Sequence, residues 1–378
     1  MPTSVPRTTL AVKYRLYPTP AQETVLRQNL AVCCAVYNSL LNWRRHDYEV
    51  QGSRPSYYEQ KKALPLWKQT HPGLSCVHSQ VLQDVCKRVD LAFEAFFRRV
   101  KSGETAGYPR FKGEGHYDSL TYPQEGGFQV GEESVTLSKI GAVKAVLHRP
   151  LPGKAKTCTV RVQAGKWFAC VTCEVEAEPL PSSAEQVGID VGLEHFAATS
   201  NGEFVANPRF FRKDETALAK AQRKVERLKT CRKQQEKAAL RKARRVVSRI
   251  HERIRNRRHD FVHQTARRLV NRFGWIAVED LNVSGMVQNH CLSKSIADAS
   301  WRMFRAVLAY KAESAGRQMV AVNPAYTSQA CAACGHRVPK TLSERVHACA
   351  CCGLLLQRDV NAARNILKRA VGLHSVPA

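Results

Sequence analysis

Residues 187–204 read VGIDVGLEHFAATSNGEF, and the prediction of the fold starts from this stretch. It predicts two short strands, a turn at the Asn-Gly pair 201–202, which is typical of tight hairpins, and a third strand. Asp190 lies in the middle of the first strand, between apolar residues and bracketed by glycines. A buried charge is costly unless it is paired or binds a metal. Whether Asp190 belongs to a metal site therefore depends on whether other carboxylates arrive from elsewhere in the chain.

The composition predicts a globular protein that binds a polyanion. The chain has 378 residues, 44% of them hydrophobic, which is enough for two or three domains with a sizeable core. Its formal net charge of +27 opposes compact folding by self-repulsion, and nucleic acid is the first candidate to offset it. An anionic membrane surface is set aside, because no run approaches the roughly 18 apolar residues of a membrane span.

The cysteines predict a reducing compartment. Many of the 14 stand singly in apolar settings, where a free cysteine acts as a small buried hydrophobe, so no disulfide framework is expected. The N-terminus lacks the apolar core of a signal peptide. These features favour an intracellular protein.

The N-terminal half is predicted to be a small β-barrel interrupted by helices. Residues 1–19 and 105–182 are assigned to the barrel, and KTCTVRVQAGKWFACVTCEVE (156–176) within them is a predicted two-strand hairpin. Residues 20–104 are assigned to a helical insert. The alternating pattern of the barrel segments and the helical spacing of the insert support this division.

Two helices are predicted within the insert. Thr19 as N-cap, Pro20 at the first helical position and Gln22 form a capping-box pattern that starts a helix running to about Arg45. A loop containing Gly and Pro follows. A second amphipathic helix covers about 77–101 and has a basic C-terminal end, which suits the helix dipole.

Two basic stretches are candidate nucleic-acid contacts. YPRFKG (108–113) interleaves aromatics with Arg110 and Lys112, which suits base stacking with phosphate contact, although a basic surface turn fits the same residues. Residues 209–258 carry 20 Lys and Arg against 5 Asp and Glu. Their spacing predicts a long helix, or a hairpin broken near TCRKQQ, and the imbalance favours nucleic-acid contact over a solvated face. The candidate contacts in this stretch are Arg223, Lys224, Arg241 and Arg245.

The C-terminal half is predicted to be a second, α/β domain. A Pro/Ser-rich linker, 177–186, precedes it. WIAVEDL (275–281) and QMVAVNP are predicted strands, WRMFRAVLAYKAESAG (301–316) is a predicted amphipathic helix, and DVNAARNILKRAV is a predicted last helix. The domain is assigned to residues 183–330 and 354–378.

A cysteine cluster interrupts this domain at residues 331–353, CAACGHRVPKTLSERVHACACCG. It contains two Cys-x-x-Cys pairs, each followed closely by Gly, at the spacing of a tetrahedral zinc ribbon with four thiolate ligands. The candidate ligands are Cys331, Cys334, Cys349 and Cys352. Cys351 is a surplus thiol that could be confused with either of its neighbours. One structural Zn²⁺ is expected.

Three carboxylates form the second candidate constellation. Asp190 is joined by Glu279, which ends the strand WIAVE, and by Asp359, which opens the last helix. Carboxylates from different elements can meet at one end of a mixed sheet and hold two hard divalent cations, Mg²⁺ or Mn²⁺ in its place, for phosphodiester hydrolysis. The residues alone leave alternatives open: Asp280 could replace Glu279, Asp359 could merely cap its helix, and ATPases use a similar first strand.

The chain resembles the TnpB (OrfB-type) family, the RNA-guided nucleases of small bacterial transposons that are related to type V CRISPR effectors. The resemblance covers nearly the whole chain. It rests on the motifs YRLYPTPAQ, YNSLLNWR, YPRFKG, GIDVGLEHFA, VEDL, YTSQACAACG and RDVNAARNIL. Together these motifs, in this order, are highly specific.

The resemblance implies a fold and a site. It implies a RuvC-like nuclease domain of RNase H fold with a zinc-ribbon insertion, preceded by a wedge-type β-barrel that carries a helical recognition insert. Its catalytic and magnesium-binding residues fall on Asp190, Glu279 and Asp359. One departure concerns Gln357, which stands where the family usually carries an acidic residue two positions before the last catalytic Asp, and this puts a supporting contact in doubt.

The resemblance also implies partners. The family binds an RNA derived from the transposon end and cuts double-stranded DNA beside a short transposon-adjacent motif. The basic helices would hold the guide–target heteroduplex through backbone and shape, and residues near Tyr57 and Gln83 would read the motif. The rival functions are a guided DNA-binding repressor that does not cut and a transposase that acts directly on DNA ends. The oligomeric state is not indicated.

Overall fold

The chain divides into two units, Met1–Glu176 and Ala177–Ala378. A computed structural model describes residues 7–113, 115–176, 179–229, 234–341 and 344–374. Among the helices of these ranges, none combines the length and the apolar character needed to cross a bilayer.

The first unit is built on a seven-stranded antiparallel sheet. Its order is β2-β6-β7-β1-β5-β4-β3. The strands are β1 Arg7–Tyr17, β2 Ser119–Tyr122, β3 Phe128–Val130, β4 Ser134–Leu137, β5 Gly141–Val146, β6 Lys154–Gln163 and β7 Lys166–Glu176. The predicted hairpin is confirmed as β6 and β7, which pair from Gln163 and Lys166 outward.

The helices of the first unit lie between β1 and β2. They are α1 Pro20–Gln51, α2 Tyr57–Thr70, a short 3-10 helix Pro72–Cys76 and α3 Ser79–Lys101. The predicted capping box is confirmed: the Thr19 hydroxyl accepts from the Gln22 N–H at 3.3 Å, and the Gln22 side chain accepts from the Thr19 N–H at 3.0 Å. The helix α1 continues past Arg45 and ends at Gly52, whose φ of 64° suits glycine.

The predicted loop with Gly and Pro is confirmed at residues 52–56, and helix α2, which the sequence analysis did not predict, follows it directly. The helix starts with a second capping box, in which the side chains of Ser56 and Glu59 bond each other's backbone N–H groups. Pro65 lies inside this helix, and prolines ordinarily interrupt helices. The Ser-x-x-Glu pattern was the local signal for this helix.

The second unit contains a mixed five-stranded sheet of order β10-β9-β8-β11-β12. Its strands are β8 Gln186–Val191, β9 His195–Thr199, β10 Phe204–Ala206, β11 Trp275–Glu279 and β12 Gln318–Val322. The first three pair antiparallel, as the hairpin signal predicted, and β8, β11 and β12 are parallel. Two short strands, β13 Val346–Ala348 and β14 Leu355–Gln357, pair within the cysteine-rich segment.

Helices cover both faces of this mixed sheet. They are α4 Phe210–Lys229, α5 Gln234–Arg272, α6 Val283–Met286, α7 Ser293–Ala299, α8 Trp301–Ser314 and α9 Arg358–His374. Ile276 and Val278 of β11 join the core under α5 and α8, whereas Ala277 between them packs with Ile366 and Ala370 of α9. A strand buried on both faces reads as a continuous apolar run, as WIAVE does.

The basic stretch 209–258 forms two packed helices. Leu218 of α4 and Ile250 and Ile254 of α5 share a small core. The buried Asp214 accepts from Arg253 and Arg257 across the pair. The hairpin form of the prediction is therefore correct, although most of the predicted break lies at 230–233, outside the described residues.

Candidate functional site

Two of the predicted carboxylates lie side by side at one edge of the mixed sheet. Strands β8 and β11 are parallel, with Val278 paired to Ile189, so the next residues in register are Glu279 and Asp190. The carboxyl ends of neighbouring parallel strands meet at the same edge, which is where α/β proteins usually bind ligands. Chain topology thus joins two residues that are far apart in sequence.

The third carboxylate, Asp359, is brought to this edge by close packing of α9 on β8. A Cβ on Gly188 would lie 2.0 Å from the Ala363 carbonyl oxygen and 2.8 Å from the Leu367 backbone nitrogen. Only glycine permits this approach. As a result, the first turn of α9 sets Asp359 close enough to raise the pKa of Asp190.

The electrostatics of the three carboxylates fit a site that binds a cation. Burial raises the pKa of Asp190 well above its ordinary value, and the charges of Glu279 and Asp359 raise it further. Arg358 opposes this shift without cancelling it. Burial also raises the pKa of Glu279. Like charges gathered in a buried place are stabilised when a divalent cation binds them, so the donor set fits Mg²⁺ or Mn²⁺.

Asp280, the alternative to Glu279, faces elsewhere. Its side chain is 61% exposed and forms an ion pair with Arg305. The charges that raise the pKa of Asp190 belong to Glu279 and Asp359. The structure thus brings Glu279, rather than its neighbour, to Asp190.

Three residues that the sequence analysis did not single out hold this edge together. The Thr327 hydroxyl donates to Glu279 Oε1 at 2.5 Å, and its own carbonyl accepts from Asn365 of α9 at 2.8 Å. Asn361, also on α9, accepts from the Ala332 N–H and donates to the Ala330 carbonyl. Both asparagines are buried. Their signal was present in the motifs YTSQACAACG and RDVNAARNIL, but no spacing rule assigns them a role.

The four predicted cysteines form one cluster. The Sγ atoms of Cys331 and Cys352 are 3.5 Å apart and those of Cys334 and Cys349 are 3.6 Å apart. A zinc tetrahedron with 2.3 Å bonds has edges of about 3.8 Å, so the thiols are nearly in place for the ion. Cys351 is exposed and does not belong to the group.

The backbone around the cluster favours thiolates. Gly335 and Gly353 adopt φ values of 78° and 74°, and each closes a turn by donating its N–H to the carbonyl of the first cysteine of its pair. Burial raises the pKa of Cys331, but hydrogen bonds from the backbone N–H groups of Cys334 and Ala333 and from the side chains of Cys352 and His347 together lower it to about 5. The N–H of Leu354 lowers the pKa of Cys352, but the hydrogen bonds of Cys352 with the other thiols raise it to about 12. Thiolate is the form that binds metal.

The predicted basic contacts of the second unit lie on the helical pair. Arg223 and Lys224 are exposed on α4, and Arg241 and Arg245 are exposed on α5. Their guanidinium and ammonium groups can reach phosphates without losing a buried structural role.

The predicted contacts of the first unit lie in two places. Tyr57 begins α2 and Gln83 lies on α3, and both are half-buried. Arg110 and Lys112 are exposed in the extended segment before β2, and Asn38 of α1 fixes that segment through both the N–H and the carbonyl of Lys112. Because Asn38 holds its backbone, this surface segment presents the side chains of Arg110 and Lys112 from a fixed position.

Similarity to known proteins agrees with this geometry. The OrfB_IS605 family model, described as "Probable transposase", matches residues 168–290, and models of a Cas12f1-like TNB domain and a helix-turn-helix domain match residues 301–366 and 8–53. The match of the TNB domain spans the cysteine cluster and Asp359. The family models therefore cover separate parts of both units.

Two relatives align with nearly the entire chain. A Streptomyces pristinaespiralis protein named "Putative RNA-guided DNA endonuclease" is 36% identical over 371 residues, which is 96% of this chain and 89% of the relative. An Escherichia coli (strain K12) protein named "Putative RNA-guided DNA endonuclease InsQ" is 32% identical over 378 residues, 94% of this chain and 91% of the relative. The chain belongs to this family, the OrfB-type or TnpB proteins.

A solved structure shares the fold. The Cas12f1 chain in a cryo-EM complex of Cas12f1, sgRNA and target DNA aligns with a TM-score of 0.61 and 12% sequence identity. The alignment covers 95% of this chain and 98% of that one. At this identity the likeness concerns the fold, which is the mixed α/β architecture described above.

Proposed function

We propose that this protein is an RNA-guided DNA endonuclease of a transposable element, with Asp190, Glu279 and Asp359 as its catalytic residues. The observation that carries the proposal is the convergence of three carboxylates, from β8, β11 and α9, at one sheet edge. The names of the relatives and the guide and target bound in the Cas12f1 complex supply the substrate class.

Two Mg²⁺ ions, or Mn²⁺ in their place, would be held by these carboxylates. When bound, such a pair supplies an activated water and stabilises the leaving oxygen of a phosphodiester. The protein's part is to hold the carboxylates still. Asp190 is fixed by its strand, Glu279 by the Thr327 hydroxyl, and Asp359 by the packing of α9 against Gly188.

The domain roles follow the sequence divisions. We assign residues 183–330 and 354–378 to a RuvC-like nuclease domain and 331–353 to its zinc-ribbon insertion. Residues 1–19 and 105–182 would form the wedge-type β-barrel, and 20–104 the helical recognition insert. The mixed sheet, the four-cysteine cluster and the helices between β1 and β2 support these assignments.

The partners would be a guide RNA from the transposon end and double-stranded DNA beside a transposon-adjacent motif. The basic pair α4–α5 would hold the heteroduplex by its backbone, with contacts from Arg223, Lys224, Arg241 and Arg245. Tyr57 and Gln83 would read the motif, and Arg110 and Lys112 would contact phosphates. The place of action would be the cytoplasm, at the nucleoid, where the cysteines stay reduced.

The test begins with RNA. The protein is expressed with its native downstream flank, and the RNA that co-purifies is sequenced. A discrete RNA ending in the flank is expected, and its 3′ end supplies a guide for a cleavage assay on matched and mismatched duplexes in Mg²⁺. Heterogeneous RNA with no guide-dependent cleavage would contradict the proposal. Guided binding without cleavage would identify a repressor, and strand transfer without RNA would identify a transposase.

A further inference from the structure

Gln357 occupies a defined place between the cysteine cluster and the carboxylates. It is the last residue of β14, pairs with Val346 of β13, and directly precedes α9. The ladder fixes its backbone on one side, and the helix fixes it on the other. Its half-buried side chain turns toward the first turn of α9. Strand β14 thus ends two residues before Asp359 and holds the backbone of Gln357 beside the first turn of α9.

The side chain of Gln357 makes three hydrogen bonds, all with the first turn of α9. Its Oε1 accepts from the N–H of Asp359 at 2.7 Å and from the N–H of Val360 at 3.0 Å. Its Nε2 donates to Asp359 Oδ2 at 3.4 Å, a longer contact. The first two bonds satisfy backbone donors that a helix start leaves without an internal partner.

The two ends of the amide cannot exchange places. Only its oxygen can accept from two backbone N–H groups, so its NH₂ must face the carboxylate. Asp359 Oδ2 is therefore met by a neutral donor. A carboxylate at position 357 could cap the helix equally well, but it would put a fourth negative charge beside Asp190, Glu279 and Asp359.

We propose that Gln357 is a positioning residue for the metal site: its amide oxygen caps α9 while its amide nitrogen orients the Asp359 carboxylate and keeps a fourth charge out of the cluster. This role rests on the proposed function, because it presumes that Asp359 binds a divalent cation. It makes the cation affinity of this site depend on an uncharged neighbour.

The test measures Mn²⁺ binding by the full-length protein, using electron paramagnetic resonance to count free Mn²⁺. Asp190→Ala defines the binding that does not involve the site. Three further variants are compared: Gln357→Ala removes cap and donor, Gln357→Glu keeps the acceptor but exchanges the donor for a charge, and Gln318→Ala is the control. Gln318 is exposed at the start of β12, away from the edge that carries Glu279.

Gln357→Ala is expected to weaken site-specific Mn²⁺ binding about tenfold or more, the usual effect of losing a residue that orients a metal ligand. Gln357→Glu is expected to tighten it by about fivefold, because a fourth carboxylate attracts the cation, and to lower the melting temperature of the metal-free protein, because the added charge repels the other three. Gln318→Ala should change neither quantity.

Two outcomes would overturn the role. Mn²⁺ affinity of Gln357→Ala within about twofold of the unaltered protein would show that the contact orients nothing. Unaltered affinity in Gln357→Glu, with loss only in Gln357→Ala, would show that capping alone matters. Absence of any Asp190-dependent Mn²⁺ binding in the unaltered protein would contradict the proposed nuclease site itself, and this role with it.

Discussion

The cysteine cluster and the carboxylate site lie in the same unit but are assembled in different ways. All four cysteines come from one segment of the chain, 331–353, and two tight glycine turns bring each pair together. The carboxylates come from β8, β11 and α9, which lie far apart in the chain and are separated by helices α4 to α8. The first site is local and the second depends on the whole sheet.

This difference shows what each site demands of the fold. A Cys-x-x-Cys turn places its sulfurs through its own backbone, so it needs little from the rest of the unit. The carboxylates need parallel pairing of β8 with β11, the absence of a side chain at Gly188 and the bonds from Thr327. Substitutions in the cysteine cluster should therefore mainly affect stability, and substitutions in the carboxylate site should mainly affect catalysis.

The largest expected effect is on cleavage, and it belongs to the carboxylate site. Asp190→Ala should lower the rate of guided DNA cleavage by at least about 10³-fold, because a metal-bound carboxylate supplies several kcal/mol of transition-state stabilisation. RNA binding should persist. The matched control is Asp280→Ala, which removes an exposed neighbour and should cleave within about twofold of the unaltered protein. Equal losses of cleavage in Asp190→Ala and Asp280→Ala would contradict the distinction between the carboxylate site and its exposed neighbour.

At the cysteine cluster the expected effect is on stability. Cys334→Ser should abolish bound zinc and lower the melting temperature by roughly 10 °C, since structural zinc contributes directly to folding. Zinc content by mass spectrometry and a thermal melt measure both. Cys351→Ser, at the exposed thiol outside the group, should retain zinc and melt normally. Zinc loss in Cys351→Ser would mean that the ligand set is misassigned.

An intermediate effect is expected where α9 packs on β8. Gly188→Ala would place a Cβ 2.0 Å from the Ala363 carbonyl oxygen, so α9 must move and carry Asp359 with it. We expect about 1–3 kcal/mol of lost stability and a cleavage rate lower by about 10²-fold. Gly372→Ala, near the end of the same helix, meets nothing within 4 Å and should be neutral. Denaturant unfolding and cleavage assays would reveal whether the packing matters.

The smallest expected effect is a pH-dependent increase in the stability of a variant that lacks the Asp190 charge. Because the pKa of Asp190 is raised on folding, its contribution is fully present below its unfolded value of about 4 and is lost as pH rises through the folded value. Asp190→Asn cannot ionise. Without divalent metal, Asp190→Asn should melt at a higher temperature than the unaltered protein near neutral pH. The increase should be about 2–4 °C for each kcal/mol by which the free energy of unfolding rises, and it should vanish near pH 4.

Adding Mg²⁺ provides the check on this last prediction. The cation should stabilise the unaltered protein more than Asp190→Asn, because it offsets the charge that the variant lacks. Melting curves of both proteins from acidic to neutral pH, with and without Mg²⁺, are sufficient. Identical curves for the two proteins across this range would show that the buried charge carries no free-energy cost.

Local patterns in the sequence were reliable where one element decided the outcome. The capping box at Thr19, the Asn-Gly turn before β10 and the hairpin of β6 and β7 each follow from a few adjacent residues. Helix α2 was not predicted, because Pro65 interrupts its helical pattern, although Ser56 and Glu59 carried a usable signal. The choice between one helix and two in the basic stretch needed the packing of Leu218 against Ile250.

Residue types and short-range spacing are enough to predict the chemistry of this protein. They give four thiols at zinc spacing, three carboxylates on separate elements and a charge of +27. Three further features follow from tertiary contacts: Glu279 rather than Asp280 lies near Asp190, α9 packs closely on Gly188, and Gln357 contacts Asp359. These contacts depend on strand register and helix packing. Because both involve residues far apart in the chain, no single motif indicates them.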